Sequence, residues 1–197
     1  MMPMYKTLLL AAAFICSAAA AAHAVTDGPC EREMAQAARR IGIPLGVLYA
    51  VGLTETGVRG SLNPYSINAD GRAQAAASLH DALANFESAR SRGAKFIDVG
   101  CMQINHRFHG KHFTSVAEMF DPAKNVQYAA RFLMELKARQ RTWTLAVARY
   151  NAGPDNDPAQ KHYVCRMLKN MVASGFASWT RNARDFCATE ASGIRSP

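Results

Sequence analysis

PLGVLYAVGLTETG, Pro44 to Gly57, reads as one helix with a single carboxylate near its end. Leu45, Val47, Leu48, Tyr49, Ala50, Val51 and Leu53 place apolar groups on every side, and a helix that is apolar all round sits inside a core. Proline at the first helical position and glycine just past the last are start and stop signals. Glu55 therefore falls in the last turn of a core helix.

Two effects act on Glu55 in one direction. Partial burial disfavours its ionised form, and a negative charge near a helix C-terminus opposes the macrodipole by roughly 0.3–1 kcal/mol at an exposed site. Both raise its pKa, and a glutamate that is protonated near neutral pH can act as a general acid. The plainer alternative is a helix-terminal glutamate paired with Arg59 or simply solvated.

Upstream, Met34, Ala37, Ala38 and Ile41 stand at helical spacing in the segment Cys30 to Ile41, which Gly42 ends. The short connection predicts that this helix packs antiparallel to the one carrying Glu55. Downstream, Asn63-Pro64 and Ala69-Asp70-Gly71 are turn signals around an extended piece, Tyr65 to Asn68, and a second extended piece is expected at Lys95 to Val99. Between them Ser78-x-x-Asp81 resembles a capping box, and Leu79, Ala82, Leu83 and Phe86 form one face of a helix that stops at Gly93.

GCMQIN, Gly100 to Asn105, reads by itself as a strand end or loop. His106, His109 and His112 follow at spacing three and invite a metal reading. Phe108 and Gly110 interrupt any cage and no acidic group supports one, so no metal is expected. Asp121-Pro122 opens a helix whose apolar face is Val126, Ala129, Ala130, Leu133 and Leu136. A buried helix is expected from Trp143 to Asn151, ending at Gly153-Pro154. A last one is expected from Gln160 to Ser174, with Tyr163, Met167 and Met171 on its stripe, and an irregular tail from Gly175. The expected fold class is α+β, mainly α, with a small β-hairpin-like element.

The N-terminus reads as an export signal: Lys6, an apolar run from Leu8 to Ile15, and Ala22-His23-Ala24 as cleavage site. The apolar run is too short to span a membrane once the signal is removed. An uncleaved anchor or a lipoprotein through Cys16 is the alternative, but the residues before Cys16 make a poor lipobox. Cleavage after Ala24 leaves residues 25–197, which suit one domain with a sizeable core, and no repeat, low-complexity tract or linker divides them. The net charge is +8 with 19% charged residues. Such a charge suits attraction to anionic polymers or membrane surfaces; the basic residues are dispersed, which argues against nucleic acid. Cys30, Cys101, Cys165 and Cys187 suggest two disulfides in an oxidising compartment. Three pairings are possible; the positions near the two ends favour Cys30 with Cys187 and Cys101 with Cys165. No pair has the C-x-x-C spacing of a zinc site.

Four separated pieces then fall into one pattern. LTETG at 53–57, NPYSIN at 63–68, GCMQIN at 100–105 and ARYNAG at 148–153 resemble, in order and spacing, the motifs of the soluble-lytic-transglycosylase domain of the lysozyme-like superfamily. The resemblance covers roughly Cys30 to Lys169. It implies a lysozyme-like fold, with Glu55 as the single catalytic glutamate and Thr56 where serine is more usual. Met102, Gln103 and Asn105 would line the cleft, Tyr150 would lie close to the glutamate, Tyr163 would be a further cleft tyrosine, and Thr56 and Asn151 would also belong to the substrate-binding set. The stretch ending in IDVGCMQIN is similar to a subgroup of small exported members linked to flagella or secretion systems, so a component of such a machine is an implied partner. Cys101 stands where leucine or isoleucine is more usual, which fits a disulfide peculiar to that subgroup.

The implied activity is periplasmic, cofactor-free cleavage of the β-1,4 bond between N-acetylmuramic acid and N-acetylglucosamine in peptidoglycan glycan strands, closing a 1,6-anhydro ring. The rivals are a hydrolytic muramidase, in which Asp98 or Asp70 supplies a second carboxylate, and a non-enzymatic peptidoglycan-binding assembly factor.

Overall fold

The computed structural model describes residues 28–56, 61–153 and 157–191. The expected export signal, Gly57, Arg59 and Pro154 lie outside them.

Helix α1 (Pro29–Ile41) buries Met34 and Ala37, as its spacing predicts, and ends at Gly42. There a φ of 79° lets the Gly42 amide donate to Ala38 O at 3.1 Å, a left-handed cap that glycine adopts without a Cβ penalty. Helix α2 (Leu45–Thr56) follows. Pro44 stands just outside it rather than at its first position, its carbonyl accepting from the amides of Val47 (3.0 Å) and Leu48 (3.2 Å).

Every residue of α2 from Gly46 to Gly52 is buried, and a closed cycle of helices supplies the walls this requires. α2 packs on α1 and on α8 (Asp157–Ala173); α1 packs on α6 (Pro122–Gln140); α6 packs on α7 (Trp143–Ala152), which returns to α8. The first turn of α6 is capped by the Asp121 carboxylate, which accepts from the Lys124 amide at 2.9 Å. Its Val126, Ala129, Ala130, Leu133 and Leu136 are buried as expected.

One side of this cycle carries an antiparallel sheet in the order β2-β1-β3-β4, formed by β1 (Ser66–Ala69), β2 (Arg72–Ala75), β3 (Ile97–Val99) and β4 (Ile104–Asn105). Two of these strands were hidden in the sequence. β2 is exposed along its whole length and shows no apolar alternation, and β4 is only two residues long. α3 (Leu79–Ser91) is inserted between β2 and β3 and is capped as predicted, Ser78 Oγ accepting from the Asp81 amide at 3.2 Å. Its buried face is Ala82, Phe86 and Ala89, whereas Leu79, expected on that face, is exposed; the stripe begins one turn later. A short helix α4 (His106–His109) and α5 (Val116–Phe120) lead into α6. No helix among the described residues is long and apolar enough to cross a membrane.

Two expectations are corrected at the C-terminal side. Residues expected to be irregular form α9 (Arg181–Ala191), capped by Thr180 Oγ1 at 3.1 Å from the Ala183 amide; a mostly polar helix with Phe186 43% exposed carries little apolar stripe to read. The disulfides are Cys30–Cys101 and Cys165–Cys187, each with Cα atoms 5.7 Å apart, and not Cys30–Cys187 with Cys101–Cys165. The start of α1 lies against the turn at Cys101, and α9 folds back on α8. Neighbourhood in space thus follows these local packings rather than the two chain ends.

Candidate active site

The last turn of α2 is fixed from two sides. From α8, Arg166 Nη2 donates to the Thr54 carbonyl (2.8 Å) and Asn170 Nδ2 to Thr54 Oγ1 (2.9 Å), placing a cation on one of the carbonyls that a helix end leaves without an intrahelical partner. On the other side Thr56 Oγ1, itself buried, donates to the Cys101 carbonyl at 3.2 Å. Glu55 sits between these two anchored residues and extends into a cleft whose walls include Asp98, Gln103, Asn105, Phe108, Phe132 and Tyr150.

Its carboxylate accepts a hydrogen bond from Tyr163 Oη at 2.6 Å on Oε1. Burial raises the Glu55 pKa to about 7; the Tyr163 hydrogen bond pulls against that rise, the Asp98 charge adds to it and the Arg166 charge opposes it. The expected upward shift is therefore present, with desolvation as its main cause. Tyr163 is almost wholly buried, and burial together with the adjoining Glu55 charge pushes its phenol well above the usual range. It is a permanent donor at neutral pH.

The opposite wall is built by the turn Gly100 to Gln103. Asn125 of α6, fully buried, fills three roles there. Its Oδ1 accepts from the Met102 amide at 2.9 Å, and its Nδ2 donates to the carbonyls of Val99 (3.0 Å) and Met119 (2.7 Å). Gly100 has φ 81°, and a Cβ there would lie 2.3 Å from Asn125 Nδ2, so glycine is required twice over. Gln103 is held at φ 46°, a strained conformation for a residue with a side chain. Its Nε2 spends both protons on the carbonyls of Ser66 (3.2 Å) and Gly100 (3.1 Å). What Gln103 offers the cleft is its carbonyl oxygen.

Two expected roles change accordingly, those of Met102 and Thr56. Met102 is fully buried, so its side chain cannot meet a sugar face; its carbonyl instead accepts from Tyr150 Oη at 2.8 Å. Tyr150 thus braces the turn while it stays near Glu55 in the cleft, as expected, and Tyr163 is the tyrosine that donates to the glutamate. Thr56 is a tie between α2 and the turn rather than an open contact. Asn151 is exposed at the cleft margin. Asn105 lines the cleft but is already engaged: its Oδ1 caps α4 by accepting from the amides of Arg107 (3.1 Å) and Phe108 (3.3 Å), and its Nδ2 donates to Asp98 Oδ1 at 2.7 Å.

Asp98 does face the cleft, on β3 opposite Asn105 of β4. Burial raises its pKa, against the hydrogen bond from Asn105. Asp70 does not face the cleft. It occupies the β1–β2 turn and accepts from the amides of Lys95 (3.1 Å) and Phe96 (2.9 Å), which holds its carboxyl below the usual range. That removes it as a second carboxylate. Among the described residues no group of three or more His, Cys, Asp or Glu side chains is placed to hold a metal ion.

Arg166, Asn170 and Phe132 escaped the sequence reading. The first two were detectable, because Tyr163, Arg166 and Asn170 stand at i, i+3 and i+7 and mark a polar stripe on the side of α8 that meets α2. Phe132 carries no such mark. The family model described as Transglycosylase SLT domain matches residues 33–170, a span that takes in all of these groups. No curated protein and no solved structure matches the chain.

Proposed function

As the chain belongs to the transglycosylase SLT domain family, which acts on peptidoglycan, we propose that it is a lytic transglycosylase with Glu55 as acid and then base. The observation that carries this reading is a carboxyl group poised at about 7 and hydrogen-bonded to Tyr163 at 2.6 Å. Such a group is protonated often enough at neutral pH to act as an acid and ionises readily enough to act next as a base.

In the proposed reaction Glu55 gives its proton to the glycosidic oxygen as the bond from that oxygen to C1 of the muramoyl residue breaks. The 2-acetamido oxygen of the same sugar bonds to C1, so the substrate supplies its own nucleophile, an exception to the two-carboxylate rule. Glu55, now ionised, takes the proton of the C6 hydroxyl; O6 attacks C1, the acetamido bond to C1 breaks, and a 1,6-anhydro ring closes. The proton is back on Glu55 and no water has been consumed. Tyr163 holds the carboxylate in one position through both transfers, and intramolecular ring closure depends strongly on such positioning. The Gln103 carbonyl, Asn151 and the aromatic wall of Phe108 and Phe132 are proposed to orient the sugars.

Asp98 in the same cleft favours a second reading, hydrolysis with Asp98 as partner carboxylate. Its Oδ1 is already engaged by Asn105 Nδ2 at 2.7 Å, which ties the carboxyl to β4 rather than leaving it free for a water. Digestion in heavy-oxygen water separates the two: hydrolysis places the label on the new muramoyl end, and transglycosylation places none. A binding factor without activity would release nothing.

Export rests on residues 1–24, and two disulfides agree with an oxidising compartment such as the periplasm. A flagellar or secretion machine as partner rests on the subgroup resemblance alone.

A further inference from the structure

His109 and His112 belong to a ladder of aromatic rings beside the cleft. Rings follow one another outward from the cleft: Tyr150 to Phe132 with centroids 5.8 Å apart, Phe132 to His109 at 5.0 Å, His109 to Tyr128 at 5.5 Å, and Tyr128 to His112 at 5.4 Å. His109 Nδ1 and Tyr128 Oη share a hydrogen bond of 2.7 Å that fixes the middle of this ladder. The ladder is the wall between the catalytic cleft and an outer groove, since Phe108, His109 and Phe132 line both.

The outer groove adds two cations, Lys111 and Arg131. Neither forms an ion pair among the described residues, whereas Glu135, the one acid of the groove, is engaged by Arg139 at 3.5 Å. Burial first, and then the charges of His112 and Lys111, hold the His109 imidazole below its usual pKa, while burial and the Glu135 charge, opposed by Arg131, raise the Tyr128 phenol further along the groove. A groove with aromatic walls and two unpaired cations, continuous with a glycan cleft, calls for a ligand that is anionic and attached to the glycan. The sugar backbone of peptidoglycan is uncharged. Its carboxylates sit on the peptide stems carried by the lactyl groups of the muramoyl residues.

We propose that the outer groove receives the carboxylates of the peptide stem, with Lys111 and Arg131 as the residues that contact them. The guanidinium of Arg131 can take a carboxylate in bidentate fashion, while Lys111 acts as a point charge. The enzyme then distinguishes peptide-bearing strands from stripped ones through binding, leaving the acid chemistry of Glu55 untouched. This inference rests on the transglycosylase reading.

The test compares three substrates: peptidoglycan strands with intact stems, the same strands stripped of peptide by an amidase and then amidated at the lactyl carboxylates that this exposes, and strands whose stem carboxylates have been amidated. Anhydro-ended products are followed for the wild type and for the double variant K111Q/R131Q, with thermal melting to confirm that both are folded. The expected result is a KM roughly five-fold lower for intact strands than for stripped or amidated ones, with similar kcat, as suits two solvent-exposed charge pairs. The double variant should lose that difference. Equal KM values across the three substrates, with anhydro products formed, overturn the inference and leave the transglycosylase reading standing. A preference that the double variant keeps also overturns it. Absence of anhydro products from every substrate overturns both. Binding of the same strands to Glu55→Gln gives a second readout, in which the preference should persist without turnover.

Discussion

Glu55 has an acidity that its neighbours set in opposite directions, so each neighbour makes a separate prediction. Tyr163 donates to the ionised carboxylate at 2.6 Å and thereby lowers a pKa that burial has raised. Tyr163→Phe should move the alkaline limb of the pH–kcat profile to higher pH and reduce kcat, roughly ten- to a hundred-fold for a lost positioning contact. A limb that stays in place would remove Tyr163 from the account. The same shift is also a stability statement. Between the ordinary value of 4.5 and about 7 the folded protein holds a proton on Glu55 that the unfolded chain has released. Stability is therefore lost as pH rises through this window, by at most about 3 kcal/mol. Glu55→Gln removes that loss. Denaturant unfolding should show the variant close to wild type at pH 5 and more stable at pH 8, and equal stability at both would contradict the assigned pKa.

The turn from Gly100 to Gln103 is the element that turns a helix end into a cleft, and one side chain of α6 secures it. Asn125 satisfies one backbone amide and two carbonyls that are otherwise buried. Asn125→Ala should cost about 3 kcal/mol, since buried groups left unpaired carry their full desolvation penalty. It should also lower activity in the folded fraction by loosening Gln103; a loss below 1 kcal/mol in urea unfolding would show that the turn holds itself. The elements themselves were legible in unequal measure. α1, α2, α3 and α6 declared themselves through apolar spacing and caps such as Ser78 and Asp121. β2 and α9 did not, because neither buries an apolar face large enough to leave a pattern. GCMQIN could be matched to a family, but its residues alone gave no hint that Met102 would turn inward and act through its backbone. Tyr150 and Tyr163 were both legible as groups near Glu55, but which of them donates to it was not, because sequence places side chains on helices and not the distances between helices.

In the molecule as a whole, the disulfides tie both flanks of the helix cycle. Cys30–Cys101 closes a separation of 71 residues and Cys165–Cys187 one of 22, worth about 4 and about 3 kcal/mol in the chain-entropy picture. Replacing the first pair by serine should therefore lower the melting temperature more than replacing the second. It should also reduce activity, since Cys101 belongs to the turn that receives Thr56. The reverse order would place the larger constraint at α9. The pairing was beyond the sequence because cysteine count fixes the number of bridges and leaves their partners to packing. The family was within its reach, since four motifs in order survive without coordinates, and so was a carboxylate with a raised pKa at the end of an apolar helix. Mass spectrometry of the muropeptides released from purified peptidoglycan by the wild type and by Glu55→Gln bears most directly on the function. Muramoyl products ending in a 1,6-anhydro ring from the wild type, and none from the variant, are the expected result. Reducing muramoyl ends from the wild type, or anhydro ends from the variant, would contradict it.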